Sequence, residues 1–280
     1  MTSLHDTRWL QLDGTANTRD LGGLPTTDGG RTLPNRILRS DNLQTLTDED
    51  VERLVGEIGL RQVIDLRTSA EVLLEGRGPL RARPEVVHRH FTLLPERGEY
   101  TDVFAAEAPE VPDLPSGWLE SVLPRGIAEG DQDEPPAVRI YLGYLADRGD
   151  AVVAALRALT TADGASVVHC AAGKDRTGVV VALTLAVAGV PHEEIAVDYG
   201  LSGVVIHQIM ARLSASPTYA RDAAAKEAPP RDSSAQTPRA ETMTRVLELL
   251  DERYGGPVGW LEAQGFGADE RAALRARLRD

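Results

Sequence analysis

Cysteine is nearly missing from this chain of 280 residues. Cys170 stands alone, which excludes an internal disulfide and any cysteine-based metal cluster and leaves the thiol free for chemistry. Positive charge is scarce as well: 30 Lys and Arg face 43 Asp and Glu, a formal charge of −13 at neutral pH. That balance argues against nucleic acid or an anionic membrane surface as a partner. Long apolar runs are lacking too. The longest, Val179 to Val190, spans 12 residues, where a membrane-spanning helix needs roughly 20, so it reads as a helix buried in a soluble protein and no stable membrane insertion is expected. Asp6 and Arg8 interrupt the stretch where a cleavable secretory signal would place its apolar core, so a cytoplasmic protein is the default, with signal-independent export left open. What is present is globular in character. Hydrophobic residues at 42% and charged residues at 26% exclude wholesale disorder.

Four short segments rich in β-branched residues read as strands: Arg36 to Ser40, Arg61 to Arg67, Val86 to Leu94 and Ala165 to Cys170. Between the first two, Thr47 with Asp50 makes a capping-box signature, Val51, Leu54, Val55 and Ile58 share a helical face, and Gly59 closes the helix. Strands alternating with helices of this length predict an α/β layered sheet with parallel strands, in one domain covering 1–280. Residues 95–135 break the pattern, with 11 acidic residues against Arg97 and Arg125, and so carry most of the net negative charge. They are expected to form an insertion, either a lid or an inert loop, helical in part around Trp118, Leu119, Val122 and Leu123. A second irregular stretch, 215–240, reads as an exposed, flexible connection. Beyond it, Met243, Val246, Leu247 and Leu250 mark the inner face of a helix ended by Gly255 and Gly256, and two shorter helices follow.

The chemistry is concentrated in Ser166 to Gly178, SVVHCAAGKDRTG, followed at once by the apolar run. This is a strand, a loop and a helix start. Such a loop aims several unpaired backbone N–H groups at one point, and the helix dipole adds positive potential there, so an oxyanion can sit in it. The same field stabilises a thiolate, so Cys170 is expected to be ionised and nucleophilic at neutral pH. Arg176 offers a planar fork of donors matched to two phosphate oxygens. Gly173 permits a tight backbone and close approach to the anion, Gly178 permits close helix packing, Thr177 can place its hydroxyl near the sulfur, and His169 can orient the loop. Together these residues specify hydrolysis of a phosphate monoester through a cysteinyl-phosphate intermediate, without a metal or another cofactor.

HCAAGKDRTG resembles the signature loop of cysteine-dependent tyrosine and dual-specificity phosphatases, in which Cys is followed by five residues and Arg. NTRDLGG (17–23), ILRSDNL (37–43), GLRQVIDLRTSAE (59–71) and VDYGLS (197–202) resemble, in order, the atypical bacterial branch of that family. The resemblance covers most of the chain. It implies a cysteine-phosphatase fold with a central, mostly parallel sheet flanked by helices. It also implies Cys170 as nucleophile, Arg176 as phosphate clamp, and the backbone of Ala171, Ala172, Gly173, Lys174, Asp175 and Arg176 as the cradle. Lys174 and Asp175 resemble the Lys-Asp pair of members that accept phosphoinositides as well as phosphotyrosine, so a phosphotyrosine protein and a phosphoinositide are both candidate substrates. Lys174 reads equally as a solvated loop lysine.

The general acid is open between Asp175, which is preferred, and Asp102, Glu96 or Asp113 brought in by the acidic insertion. Asp65 and Arg67 point to the same sheet edge, either as site residues or as a structural ion pair. Arg19 and Asp20 are expected to stabilise the amino-terminal turn, and Arg39 is a candidate to face the site. Rival readings fare worse. A nucleotide-binding Walker loop fails because Val168 and Asp175 stand where Gly and Ser or Thr are needed. A thiol-relay arsenate reductase needs further cysteines, and His88 and His90 lack a third ligand at metal spacing. A catalytically silent module that binds phosphorylated partners is the remaining non-enzymatic reading.

Overall fold

The computed structural model describes residues 8–76, 78–95, 123–126, 128–220 and 236–279. Among them, five strands form one sheet in the order β1-β2-β5-β3-β4: β1 Arg19–Asp20, β2 Ile37–Ser40, β3 Leu60–Asp65, β4 Val87–His90 and β5 Ala165–His169. Only β1 runs antiparallel to its neighbour; the other pairs are parallel, so the sheet is mostly parallel as expected. Strand β5 is central and buried at every residue, which is why ASVVH reads as a continuous run rather than an alternating one. Its carboxyl end lies in register with those of its neighbours: His169 pairs with Ser40 and with Asp65, and Asp65 pairs with His90. That edge is where parallel α/β sheets place their sites.

The two faces of the sheet bury different cores. Leu38, Val63 and Val167 pack with Leu43, Leu46, Val51, Leu54 and Val55 on one side. Ile37, Ile64 and Val168 pack on the other with helices Gly149–Thr160 and Asp175–Ala188. The apolar run of the sequence occupies the second of these helices, which is buried nearly all round. It ends at Gly189 with φ +83°. The expected capping box is present, with Thr47 Oγ1 accepting from Asp50 N at 3.1 Å and Asp50 Oδ2 accepting from Thr47 N at 3.0 Å. The helix it starts, Asp48–Glu52, continues as a π-helical turn, Arg53–Glu57, before Gly59 turns the chain at φ +77°.

At the carboxyl end, Ala240–Tyr254 buries Met243, Val246, Leu247 and Leu250, and Pro257–Ala263 and Ala268–Leu278 follow as two shorter helices. Asp131 and Glu134 are fastened to this layer. Asp131 is buried against Arg253, and Glu134 meets Arg245 at 2.7 Å. Trp118, Leu119 and Val122, expected to be helical, lie outside the described residues, as do Glu96, Asp102 and Asp113. The stretch expected as an exposed connection opens differently from that expectation. Residues 217–220 make a helical turn with Thr218 buried, while 221–235 lie outside the described residues.

Candidate active site

Strand β5 ends at His169, Cys170 opens the loop, and the helix begins at Asp175 with Lys174 as its cap. Cys170 is buried, and its Sγ accepts a hydrogen bond from Gly173 N at 3.3 Å. Gly173 adopts φ +66°, and a Cβ there would lie 2.4 Å from the Ser40 carbonyl oxygen, so no side chain fits this turn. At Gly178 a Cβ would lie 2.9 Å from the Tyr199 ring, which is the close packing expected of that position. The Thr177 hydroxyl is buried and makes no hydrogen bond among the described residues.

Arg176 is held by a carboxylate that the sequence reading did not single out. Its Nη1 and Nη2 donate to Glu71 Oε2 and Oε1 at 2.6 and 2.9 Å, and Nη1 also approaches the Leu66 carbonyl at 3.3 Å. Glu71 is itself locked by a second capping box: Thr68 N donates to Oε2 at 2.7 Å, and Glu71 N donates to Thr68 Oγ1 at 3.0 Å. Tyr219 donates its hydroxyl to Glu71 Oε1 at 2.6 Å. Burial alone would push the Glu71 carboxyl up, but Arg176 and these donors outweigh it and hold it at about 2. Burial likewise opposes the charge on Arg176, and Glu71 reverses the balance, holding the guanidinium firmly protonated. The fork is therefore oriented and charged before any ligand arrives.

Asp175 lies beside the loop between two polar partners. Tyr141 donates its hydroxyl to Oδ1 at 2.5 Å, and Lys174 Nζ lies 3.1 Å from Oδ2. Tyr141 and Tyr199 hydroxyls meet at 2.6 Å. Burial raises the Asp175 pKa, yet Lys174, Tyr141 and Arg176 together keep it below the usual value. Lys174 is not a solvated loop lysine, being buried and bonded to Asp175 and, at 3.4 Å, to Gln236 Oε1.

Asp65 and Arg67 form a buried pair behind the loop, Nη2 to Oδ2 at 2.7 Å, with Arg67 reaching Glu75 at 3.3 Å. His169 Nε2 lies 3.5 Å from Asp65, and His90 Nε2 lies 2.7 Å from the Arg67 carbonyl. Asp65, Arg67, His90 and His169 line a cavity of about 330 Å³ with Val63, His88 and Phe91; Cys170 and Arg176 are not among its walls. Asp20 caps its turn as expected, accepting from Gly22 N and Asn35 N at 2.9 and 2.8 Å. Arg19 does not join that turn. It turns inward to Asp198, where Arg8 and Arg39 also meet, because a buried guanidinium needs a buried carboxylate and Asp198 supplies it.

A family model described as tyrosine phosphatase family matches residues 10–280. The chain belongs to that family. It is 31% identical over 248 residues to a tyrosine-protein phosphatase of Nostoc commune, covering 86% of this chain and 74% of the relative. It is 29% identical over 268 residues to the triple specificity protein phosphatase PtpB of Mycobacterium tuberculosis, covering 91% and 94%. This phosphatase has no helix among its described residues long and apolar enough to cross a membrane.

The phosphatase residues missed by sequence reading are Glu71, Tyr141, Tyr219 and Asp198. Only Glu71 had a local signal, the Thr68-x-x-Glu71 capping pattern; Tyr141 and Tyr219 meet Asp175 and Arg176 through tertiary contacts alone, and Asp198 reaches the loop only through Arg39. The buried row behind the loop also sets a pH dependence. Burial, with Arg67 adding to it, lowers His169 from 6.5 to about 4 despite Asp65. Between those values the unfolded chain binds a proton that the folded chain refuses, so stability falls as pH drops through the window, by on the order of 3 kcal/mol. His88 is displaced in the same direction. Thermal melts from pH 7 to 4 are expected to show this loss, and His169→Gln to flatten it; an unchanged slope would contradict the assignment.

Proposed function

We propose that this phosphatase hydrolyses phosphate monoesters of tyrosine-containing proteins through a cysteinyl-phosphate intermediate. The observation that carries the reading is the loop itself: the lone thiol within reach of the Gly173 amide, at the amino end of a buried helix, with the paired Arg176 guanidinium on that helix's first turn. In this reading the phosphoryl group sits in the backbone cradle of 171–176, and Arg176 supplies its charge and its Nε–H, giving up the Leu66 carbonyl or the Tyr219 hydroxyl to hold a second oxygen. Cys170 Sγ attacks phosphorus as the bond to the leaving oxygen breaks, giving the cysteinyl phosphate and, with a proton from Asp175, the free phenol. Water then attacks phosphorus and gives its proton to the Asp175 carboxylate, sulfur leaves as thiolate, and the Thr177 hydroxyl, which has no partner among the described residues, donates to it as it departs.

Asp175 is proposed as the proton donor. Its carboxyl is held low with the cradle empty, and a doubly charged phosphate beside it raises its proton affinity by like-charge repulsion. Tyr141 fixes the oxygen's orientation. Asp175→Asn is therefore expected to slow aryl phosphates with poor leaving groups more than those with good ones, read as a steeper dependence of kcat on leaving-group pKa. Equal slowing of both would move the acid elsewhere.

A second substrate class turns on Lys174, whose buried ammonium would exchange Asp175 and Gln236 for a further phosphate. A phosphoinositide headgroup would present further phosphates to it. Rates on phosphotyrosine peptides beside a panel of phosphoinositides test the two. Faster turnover of peptides supports the protein substrate, and preference for the lipids would replace it. The acidic composition and single free thiol support a cytoplasmic site of action.

A further inference from the structure

We infer that Asp198 is the positioning residue of the phosphate cradle: through Arg39, and through Arg19 and Asn17, it holds the loop carbonyls turned away from the anion so that the loop amides face it. The inference rests on the cradle reading above.

Three consecutive carbonyls of the loop are fastened from beneath. Ala171 O accepts from Asn42 N at 3.2 Å, Ala172 O from Asn17 Nδ2 at 3.0 Å, and Gly173 O from Arg39 Nη2 at 2.7 Å. A peptide unit is planar and trans, so its carbonyl and its amide hydrogen point in opposite directions. Fastening these three oxygens therefore aims the N–H groups of Ala172, Gly173 and Lys174 the other way. The Gly173 amide does point to Cys170 Sγ.

Two of the three fasteners lead to Asp198 on helix His192–Leu201. Arg39 spans the gap directly, with Nη1 on Asp198 Oδ2 at 2.6 Å and Nη2 on Gly173 O. Arg19 spans it in two steps. Its Nε donates to Asp198 Oδ1 at 3.2 Å and its Nη2 to the Asp198 carbonyl at 2.6 Å, while Nη1 donates to Asn17 Oδ1 at 2.6 Å and so orients the Asn17 amide toward Ala172. Ser202 Oγ, four residues beyond Asp198, accepts from both Asn17 and Arg19 at 3.2 Å. Arg8 braces the carboxylate from another side at 2.9 Å. NTRDLGG, ILRSDNL and VDYGLS thereby become one device under the loop.

Stability does not explain it. Burying several guanidiniums around a carboxylate costs desolvation that an apolar core of equal volume would avoid. Arg19 shows the strain, its pKa brought down to about 9 first by burial and then by neighbouring Arg39. What the cluster supplies instead is rigidity in the loop and positive potential below it, both of which favour a bound dianion.

The test reads anion binding without turnover: tungstate affinity by calorimetry in a Cys170→Ser background, with melting temperature measured alongside. Arg39→Met and Asp198→Asn are expected to weaken tungstate at least about tenfold, in line with the cost of small misplacements in preorganised sites. Asn17→Ala, which removes only the Ala172 fastener, is expected to give a smaller loss and carries the test if the buried-charge variants do not fold. Val51→Ala, a core change on the opposite side of the sheet, lowers the melting temperature and leaves tungstate affinity unchanged. Parental affinity in folded Arg39→Met or in Asn17→Ala overturns the role of the network while sparing the cradle. Absence of tungstate binding in the parent overturns the cradle and the network together.

Discussion

Cys170→Ser is expected to abolish phosphate release from aryl phosphates, by at least about a thousandfold, while leaving the fold intact. The substitution exchanges one small buried atom for another, so the packing around position 170 changes little. What it removes is the nucleophile. A serine hydroxyl needs a base to take its proton, and the neighbouring histidine is not turned to it: the His169 ring faces Asp65 at 3.5 Å and the Cys170 carbonyl at 3.4 Å. The anion cradle survives in this variant, since its donors are backbone amides and Arg176. Loss of turnover with retained tungstate binding is the expected signature; activity that survives the serine would contradict the nucleophile assignment.

The second large effect lies in the Arg176–Glu71 pair. Arg176→Lys keeps a charge but loses the planar fork, and the rate is expected to fall roughly a hundred- to a thousandfold, the scale of a lost transition-state donor. Arg176→Met should go further and destabilise the protein by about 3–5 kcal/mol, because it strands Glu71, fully buried, without its cation. The double variant Arg176→Met/Glu71→Gln separates the two consequences. Neutralising the carboxylate removes the stranded charge, so the double variant should melt closer to the parent than Arg176→Met does, yet remain inactive. Recovery of activity in the double variant would show that Arg176 serves Glu71 rather than substrate.

Much of this molecule is legible in local patterns. ILRS, RQVIDLR and ASVVH announce strands because β-branched runs pack on both faces of a parallel sheet. The signature loop is legible because the anion cradle, nucleophile and clamp all fall within Cys170 to Arg176. Asp65 and Arg67 read in the sequence either as site residues or as an ion pair, and in the structure they bond to one another at 2.7 Å on the wall of the cavity. The supports of the loop are not legible in the same way. Glu71 reaches Arg176 across 105 residues, and Asp198 reaches Arg39 across 159. A buried carboxylate of this kind carries no periodicity, and its partner is decided by strand register and helix packing. Tyr141 sits on an otherwise apolar helix face, where an aromatic reads as core, and only its hydroxyl on Asp175 reveals a polar role.

The central claim is that phosphorus passes through sulfur. Wild-type enzyme mixed with an aryl phosphate, quenched in acid during turnover and digested for mass spectrometry tests it directly. A phosphoryl group on the peptide containing Cys170, absent from Cys170→Ser, is the expected result. Full turnover with no phosphorus on that peptide, or with the adduct on another residue, would contradict the mechanism.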